Sequence, residues 1–72
     1  MVEKLENLLL EHNFIKGEVS NSFNKNGYVA TIWRSGMVTI TKYSPIYNRH
    51  LGNATYENYE ELKIELELNH KY

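Results

Sequence analysis

The stretch YVATIWRSGMVTITKY, residues 28–43, decides the fold of this chain. Two runs rich in β-branched and aromatic residues flank RSG, residues 34–36, and such runs are typical of strands. A three-residue hairpin loop needs positive φ at its last position, which Gly36 supplies. The pattern therefore predicts a β-hairpin with four opposed pairs: Trp33 with Met37, Ile32 with Val38, Thr31 with Thr39, and Ala30 with Ile40.

This register sorts the side chains of the hairpin onto two faces, because successive residues of a strand point to opposite sides of the sheet. The first face is apolar and is predicted to join the core: Tyr28, Ala30, Ile32, Val38 and Ile40. The second face is mixed: Val29, Thr31, Trp33, Met37, Thr39, Thr41 and Tyr43. A two-residue turn would mix the two faces, so the three-residue loop is preferred.

The segment before the hairpin predicts a helix and then a strand. Apolar residues recur at helical spacing from Val2 to His12, and Asn13 is placed to end the helix in the left-handed conformation. The apolar stripe of this helix is Val2, Leu5, Leu8, Leu9 and His12. FIKGEVSNSF, residues 14–23, is expected to form an edge strand, and NKNG, residues 24–27, a turn.

The segment after the hairpin has weaker signals. Pro45 is expected to end the second strand, because proline cannot donate a backbone hydrogen bond. SPIYNRHLGNATY, residues 44–56, predicts a long connection with a short third strand around Ile46 to His50. The tail, residues 69–72, is expected to fray.

ELKIELEL, residues 61–68, alternates like a half-buried strand but consists of good helix formers. Asn58, followed three residues later by a glutamate, resembles a capping box and favours a helix from Tyr59 to Asn69. Its core stripe would be Tyr59, Leu62 and Leu66, with Ile64 and Leu68 on nearly the opposite side. If the stretch were a strand instead, Leu62, Ile64, Leu66 and Leu68 would all be buried on one face.

The predicted architecture is a single α+β domain, residues 1–72, in the order α-β-β-β-α. An antiparallel three-stranded sheet lies between an N-terminal and a C-terminal helix. This order and length resemble the double-stranded-RNA-binding domain, a family that grips phosphates with a basic cluster at the start of its last helix. The matching stretch here is NYEELK, residues 58–63, which is acidic, so the RNA-binding function of that family is not carried over.

Composition limits the function classes. The chain has no Cys and no Asp, so disulfides and thiolate zinc sites are excluded; a reducing, cytoplasmic location is expected. No stretch has the apolar length of a membrane span, and the glutamate-containing N-terminus does not resemble a signal peptide. Charge is uneven, with net −2 over residues 1–15, +4 over residues 16–50 and −3 over residues 51–72.

Groups able to carry catalysis are few. His12 lies on the apolar stripe and is expected to be a packed or boundary residue, His70 lies in the tail, and His50 belongs to the polar cluster YNRH. A Ser-His-Asp triad is impossible without Asp, although Glu could take its place. No two histidines have metal-ligand spacing, and the glycines are too isolated for a phosphate loop. The sequence predicts no enzyme activity, no cofactor and no metal site.

Two binding surfaces are predicted. Ile64 and Leu68 would contact a second copy or another protein, unless they pack under the long connection. The second surface combines residues that could stack bases and neutralise phosphates of a single-stranded nucleic acid: Trp33, Arg34, Lys42, Tyr43, Tyr47 and Arg49. On this surface the alternative is that Trp33 packs against Met37 across the hairpin.

The sequence favours a small protein-binding module. Single compact domains without cofactor motifs are typical of accessory and inhibitor proteins of phages and mobile elements, which act on a host or defence protein. Nucleic-acid binding through the basic aromatic sheet face is the alternative function. A structural homodimer without any other partner is a third hypothesis.

Overall fold

The structure is a computed structural model that describes residues 2–44, 46, 49–68 and 72. This part of the chain forms two helices and a five-stranded sheet, so the predicted α+β class is confirmed, whereas the predicted number of three strands is wrong. The elements in chain order are α1 (Val2–Glu11), β1 (Ile15–Lys16), β2 (Ser22–Lys25), β3 (Tyr28–Ile32), β4 (Val38–Tyr43), β5 (His50–Tyr56) and α2 (Tyr59–Glu67). The strands lie side by side in sequence order, and each is antiparallel to the next.

The hairpin of β3 and β4 has the predicted register. Ile32 lies opposite Val38, and the pairs continue without a shift to the other end of β3. The Trp33 backbone N–H donates to the Met37 carbonyl at 2.8 Å, and the Gly36 N–H donates to the Trp33 carbonyl at 3.0 Å. Gly36 has φ of 93°, as the three-residue loop requires.

The predicted edge strand over residues 14–23 is wrong in detail, because this segment turns back on itself. β1 and β2 form a second hairpin in which Lys16 lies opposite Phe23. Asn21 has φ of 66°, a left-handed conformation that asparagine tolerates and that reverses the chain before β2. Val19, expected to alternate within a strand, is exposed in the loop.

The third strand after the hairpin lies further along the chain than predicted. The prediction placed it around Ile46 to His50, but β5 begins at His50 and continues to Tyr56. A bulge between Lys42 and Tyr43 shifts the register, and Gly52 opposite Lys42 has φ of 151°, which suits glycine. Pro45, expected to end β4, lies outside the described residues.

Both helices pack on the same face of the sheet. Their buried leucines and the apolar face of the sheet form one cluster: Leu5, Leu8, Leu9, Phe14, Phe23, Ala30, Ile32, Val38, Ile40, Tyr56, Leu62 and Leu66. The predicted core face of the β3–β4 hairpin is therefore confirmed, with Tyr28 partly buried at its end. α1 ends one residue before the predicted His12, and Asn13 follows with φ of 71°.

α2 shows that ELKIELEL is helical. The Glu61 backbone N–H donates to the Asn58 side-chain oxygen at 3.0 Å, which is the predicted cap. Leu62 and Leu66 are buried. The helix ends at Glu67, short of the predicted Asn69, which lies outside the described residues. Neither α1 nor α2 has the length and apolar character needed to cross a bilayer.

Replacing Gly36 with Val should lower the free energy of unfolding by about 1 kcal/mol or more. A Cβ built at this position meets no heavy atom within 4 Å, so the cost comes from the positive φ and not from a clash. Gly36→Asn is the matched control, because asparagine tolerates positive φ, and it should cost less. Thermal melts of the three proteins test this, and an unchanged Gly36→Val melting temperature would contradict the turn assignment.

Replacing Leu66 with Ala should cost about 2–5 kcal/mol, because the side chain is buried and its loss leaves a cavity. A domain this small has only about 5 kcal/mol to lose, so the variant should be largely unfolded. Leu68→Ala is the control and should change stability by less than about 0.5 kcal/mol, since that side chain is exposed. Urea denaturation followed by circular dichroism measures both; equal effects would contradict the helix orientation.

Candidate functional site

The sheet face opposite the helices carries no covering element among the residues that the structure describes. We call it the open face. The strand registers place its side chains in rows across the sheet: Trp33 and Met37; Ser22, Thr31, Thr39 and Thr55; Ile15, Asn24, Val29, Thr41 and Asn53; Tyr43 and His50. None of these side chains is Lys, Arg or Glu, so the open face carries no fixed charge.

Trp33 is the largest side chain on the open face. Its indole Nε1 donates a hydrogen bond to the Thr39 hydroxyl at 3.0 Å, and 48% of the residue is exposed. The hydrogen bond ties one edge of the ring to the neighbouring strand. Because the only polar group of the ring already has a partner, the exposed part is carbon surface. The predicted cross-strand pairing with Met37 is present, and it leaves the ring accessible.

Tyr43 and His50 form an aromatic pair at the end of the open face that lies away from Trp33. The rings of Tyr43 and His50 meet edge to face with centroids 6.0 Å apart. The two rings meet because the bulge between Lys42 and Tyr43 brings His50 opposite Tyr43. The open face thus has an aromatic group at each end and hydroxyl and amide side chains between them.

The basic residues that the sequence analysis assigned to this surface do not gather on it. Lys42 lies on the opposite side of the sheet, where its Nζ is 5.7 Å from the centroid of the Tyr28 ring. Strand alternation is the reason, since Lys42 precedes Tyr43 by one residue. Arg34 is exposed in the hairpin turn and Arg49 is exposed just before β5. Tyr47 lies outside the described residues.

The predicted second stripe of α2 lies on the other side of the molecule. Ile64 is 49% exposed and Leu68 is 72% exposed. Their side of the helix is turned away from the sheet, because Leu62 and Leu66 fill the core side. At these exposures neither residue is covered by the described part of residues 44–56. Ile64 and Leu68 cannot form one site with Trp33, because the sheet and its core separate them.

Tyr72 forms an aromatic cluster that the sequence analysis missed, since it expected the tail to fray. Its ring meets Tyr28 edge to face at 4.9 Å between centroids, and its hydroxyl shares a hydrogen bond of 2.6 Å with Tyr56. Lys25 Nζ donates to the backbone oxygens of His12 at 2.8 Å and Tyr72 at 3.0 Å. Nothing in the local pattern around Tyr72 predicts these contacts, because all its partners are distant in sequence.

Burial raises the pKa of the Tyr56 hydroxyl above its ordinary value. The hydrogen bond with Tyr72 lowers this pKa in part, and the negative charge of Glu65 raises it further. The hydroxyl is neutral at physiological pH with or without this shift, because the ordinary tyrosine pKa of about 10 already lies well above that pH. The interaction also shows that Glu65 of α2 lies close to the end of β5.

A cleft of about 310 Å³ lies between α1, the hairpin turn and the start of α2. Its polar lining residues are Lys4, Ser35, Glu57, Asn58, Tyr59 and Glu60. The Ser35 hydroxyl accepts a long hydrogen bond of 3.4 Å from the Met37 backbone N–H. Neither of the two described histidines, His12 and His50, lines the cleft, so neither can activate Ser35 there.

Comparison with known proteins gives no relative: no protein-family model, no curated protein and no solved structure matches this chain. The proposals below therefore depend on the geometry of the described residues alone.

Replacing both Ile64 and Leu68 with Lys should leave the fold intact, because both side chains are exposed and no buried group loses a partner. The double variant should melt near the wild-type temperature and should lose any contact made by that side of α2. Sedimentation of both proteins measures this. A wild-type dimer that becomes a folded monomer would assign the stripe to self-association, and an unfolded double variant would contradict the helix orientation.

Proposed function

We propose that this protein is a non-enzymatic protein-binding module whose binding surface is the open face. The observation that supports the proposal is the absence of charge on a surface made from five strands. The chain has eight Lys and Arg and nine Glu, yet none of those that the structure describes lies among the open-face side chains. An antiparallel sheet whose second face meets only water usually carries polar side chains there. On this face none of the polar side chains is Lys, Arg or Glu, and Trp33 and Met37 lie among them.

The side-chain types of the open face support a protein partner. The centres of protein interfaces are depleted of charged residues and enriched in Trp, Tyr and Met. The open face has Trp33, Met37 and Tyr43, with Thr and Asn between them. Such a surface loses little on desolvation, and its hydroxyl and amide groups can form neutral hydrogen bonds with the partner.

Trp33 is the central contact of the proposed interface. Interface hot spots are often tryptophans that are buried completely when the partner binds. The hydrogen bond from Trp33 to Thr39 means that burial would leave no unpaired N–H group. It also restrains the ring before binding, which reduces the entropy lost on association.

The partner that this chemistry fits is an uncharged protein surface that combines apolar side chains with neutral hydrogen-bonding groups. We extend the proposal to an accessory or inhibitor role in the cytoplasm, of the kind that small phage and mobile-element proteins perform on a host or defence protein. The support for this extension is size and the lack of catalytic groups among the described side chains.

Nucleic-acid binding is the second candidate function, and Arg34 is the observation in its favour. This residue is exposed in the turn directly after Trp33, so a base stacked on the indole could have its phosphate neutralised. The position of Lys42 on the opposite side of the sheet argues against an extended phosphate track. A single cation, Arg34, beside a single ring, Trp33, supports nucleic-acid binding. This support is weaker than the support that the uncharged open face gives to protein binding.

Replacing Trp33 with Ala should weaken partner binding by roughly thirtyfold or more, which corresponds to a hot-spot loss of about 2 kcal/mol. Leu68→Ala is the matched control, because it removes an exposed apolar side chain from the opposite side of the molecule. Capture from the source cell with the wild-type protein, followed by titration of the captured partner against both variants, measures the difference. Circular dichroism confirms that both variants are folded.

Unchanged affinity of the Trp33→Ala variant would contradict the proposal. Trp33 is the one tryptophan of the chain, so its fluorescence reports directly on the open face. Quenching of this fluorescence by single-stranded DNA or RNA at low salt would favour the second candidate function. That quenching should then fall steeply with salt and disappear in Arg34→Glu.

A further inference from the structure

The two edges of the sheet differ. The edge at β1 is only two residues long and carries Lys16, a charge of the kind that discourages further pairing. The edge at β5 is seven residues long, from His50 to Tyr56, and has no Lys, Arg, Glu or Pro. No strand of the described chain lies beyond β5. Beyond the bulge at its start, the β5 edge from Asn53 to Tyr56 is therefore open to another strand, as far as the described residues extend.

The hydrogen-bonding pattern identifies which backbone groups of β5 are available. Along an antiparallel strand, successive residues direct their backbone N–H and C=O groups alternately to the two neighbouring strands. One known hydrogen bond therefore determines the direction for every residue of the strand. The bond from Trp33 N–H to the Met37 carbonyl shows that the odd-numbered residues of β4 bond to β3. Its even-numbered residues bond to even-numbered partners in β5. Asn53 and Thr55 therefore direct their backbone N–H and C=O groups outward.

α2 provides an acidic border above this edge. One side of the helix faces α1, since Glu67 is 3.7 Å from His12 and the ring of Tyr59 lies 4.6 Å from Lys4 Nζ. Glu61 and Glu65, four residues apart, share a side of the helix turned away from α1. α1 packs against β1 and β3 whereas α2 packs against β5, so this acidic side lies toward the β5 edge.

We propose that the β5 edge receives an extended, basic segment of another protein, which adds to the sheet as a sixth strand. Backbone groups of Asn53 and Thr55 would bond to the incoming strand, and Lys or Arg at every second position would meet Glu61 and Glu65. This site is the backbone edge of β5, whereas the open face consists of side chains, and the proposal stands whether or not those side chains bind a partner.

The charge of α2 favours a basic strand over a second copy of this chain as the occupant of the β5 edge. Pairing of two β5 edges about a twofold axis would place two α2 helices next to each other on the same side of the joined sheet. Glu61 and Glu65 of one copy would then approach the same glutamates of the other, and like charges at such a contact repel. A basic strand reverses the sign of that interaction.

The test is a titration of isotope-labelled protein with two synthetic peptides of about ten residues, followed by nuclear magnetic resonance. One peptide alternates lysine with threonine, and the other alternates glutamate with threonine. We expect the basic peptide to shift the amide signals of Asn53 and Thr55 and to bind at least about tenfold more tightly than the acidic one. Equal affinities, or shifts confined to the outer surface of α2, would overturn the proposal.

Two pairs of variants separate the contribution of backbone hydrogen bonds to peptide binding from the contribution of the glutamate charges. Thr55→Pro removes one outward N–H and should abolish the shifts, whereas Thr55→Val keeps that N–H and should retain them. Glu65→Gln should weaken binding of the basic peptide, whereas Glu60→Gln removes the same charge from another side of α2 and should not. If Thr55→Pro is unfolded, the glutamate pair decides, and equal binding by both glutamine variants overturns the proposal. A wild-type dimer that the basic peptide fails to dissociate also overturns it.

Discussion

The register of the β3–β4 hairpin is the constraint on which the other layers of the structure depend. Side chains alternate along a strand, so a slip by one residue would move Ile32 and Val38 into water and carry threonines into the core. The loop that ends in Gly36 fixes the register by making the bond between Trp33 and Met37. The same bond determines which groups of β4 are left to pair with β5. The apolar and open faces of the central hairpin thus follow from one turn, and the pairings with β2 and β5 extend both faces across the sheet.

A chain of 72 residues without Cys needs more than this sheet and two short helices to hold it together. The aromatic cluster around Tyr72 supplies long-range contacts, since it joins residues from near the start and the end of the chain. Phe14 and Tyr28 meet the ring of Tyr72 edge to face. Lys25 adds a tie, because one ammonium group bonds to the backbone at both His12 and Tyr72.

The sequence was sufficient to predict the elements that local chemistry specifies. The hairpin follows from β-branched residues and Gly36, and α2 follows from the cap at Asn58. The prediction failed for β5, because Gly52, Asn53 and Ala54 are weak strand formers that are held extended by pairing with β4. Strand propensity depends on neighbours, and those neighbours come from elsewhere in the chain.

The candidate site was predictable only in part for the same reason. Alternation placed Trp33 and Tyr43 on one face of the predicted hairpin. The same alternation places Lys42 on the opposite face of the hairpin from Trp33 and Tyr43. The extent of the open face could not be predicted, because it requires the registers of β2 and β5. Tyr72 could not be predicted at all, since its ring contacts are made with Phe14, Tyr28 and Tyr56.

The alternation of apolar and charged residues in α2 has a physical explanation in the surroundings of the helix. Apolar residues at every second position of a helix fall on two sides, so Leu62 and Leu66 enter the core while Ile64 and Leu68 remain outside. Glu65 lies between the two exposed apolar residues in sequence and close to β5. Lysine and arginine have apolar stems and charged ends. A basic strand at the β5 edge would therefore place its charged ends near Glu65 and its stems along the border between α2 and β5, whereas Ile64 and Leu68 face away from the sheet and are left for a separate contact.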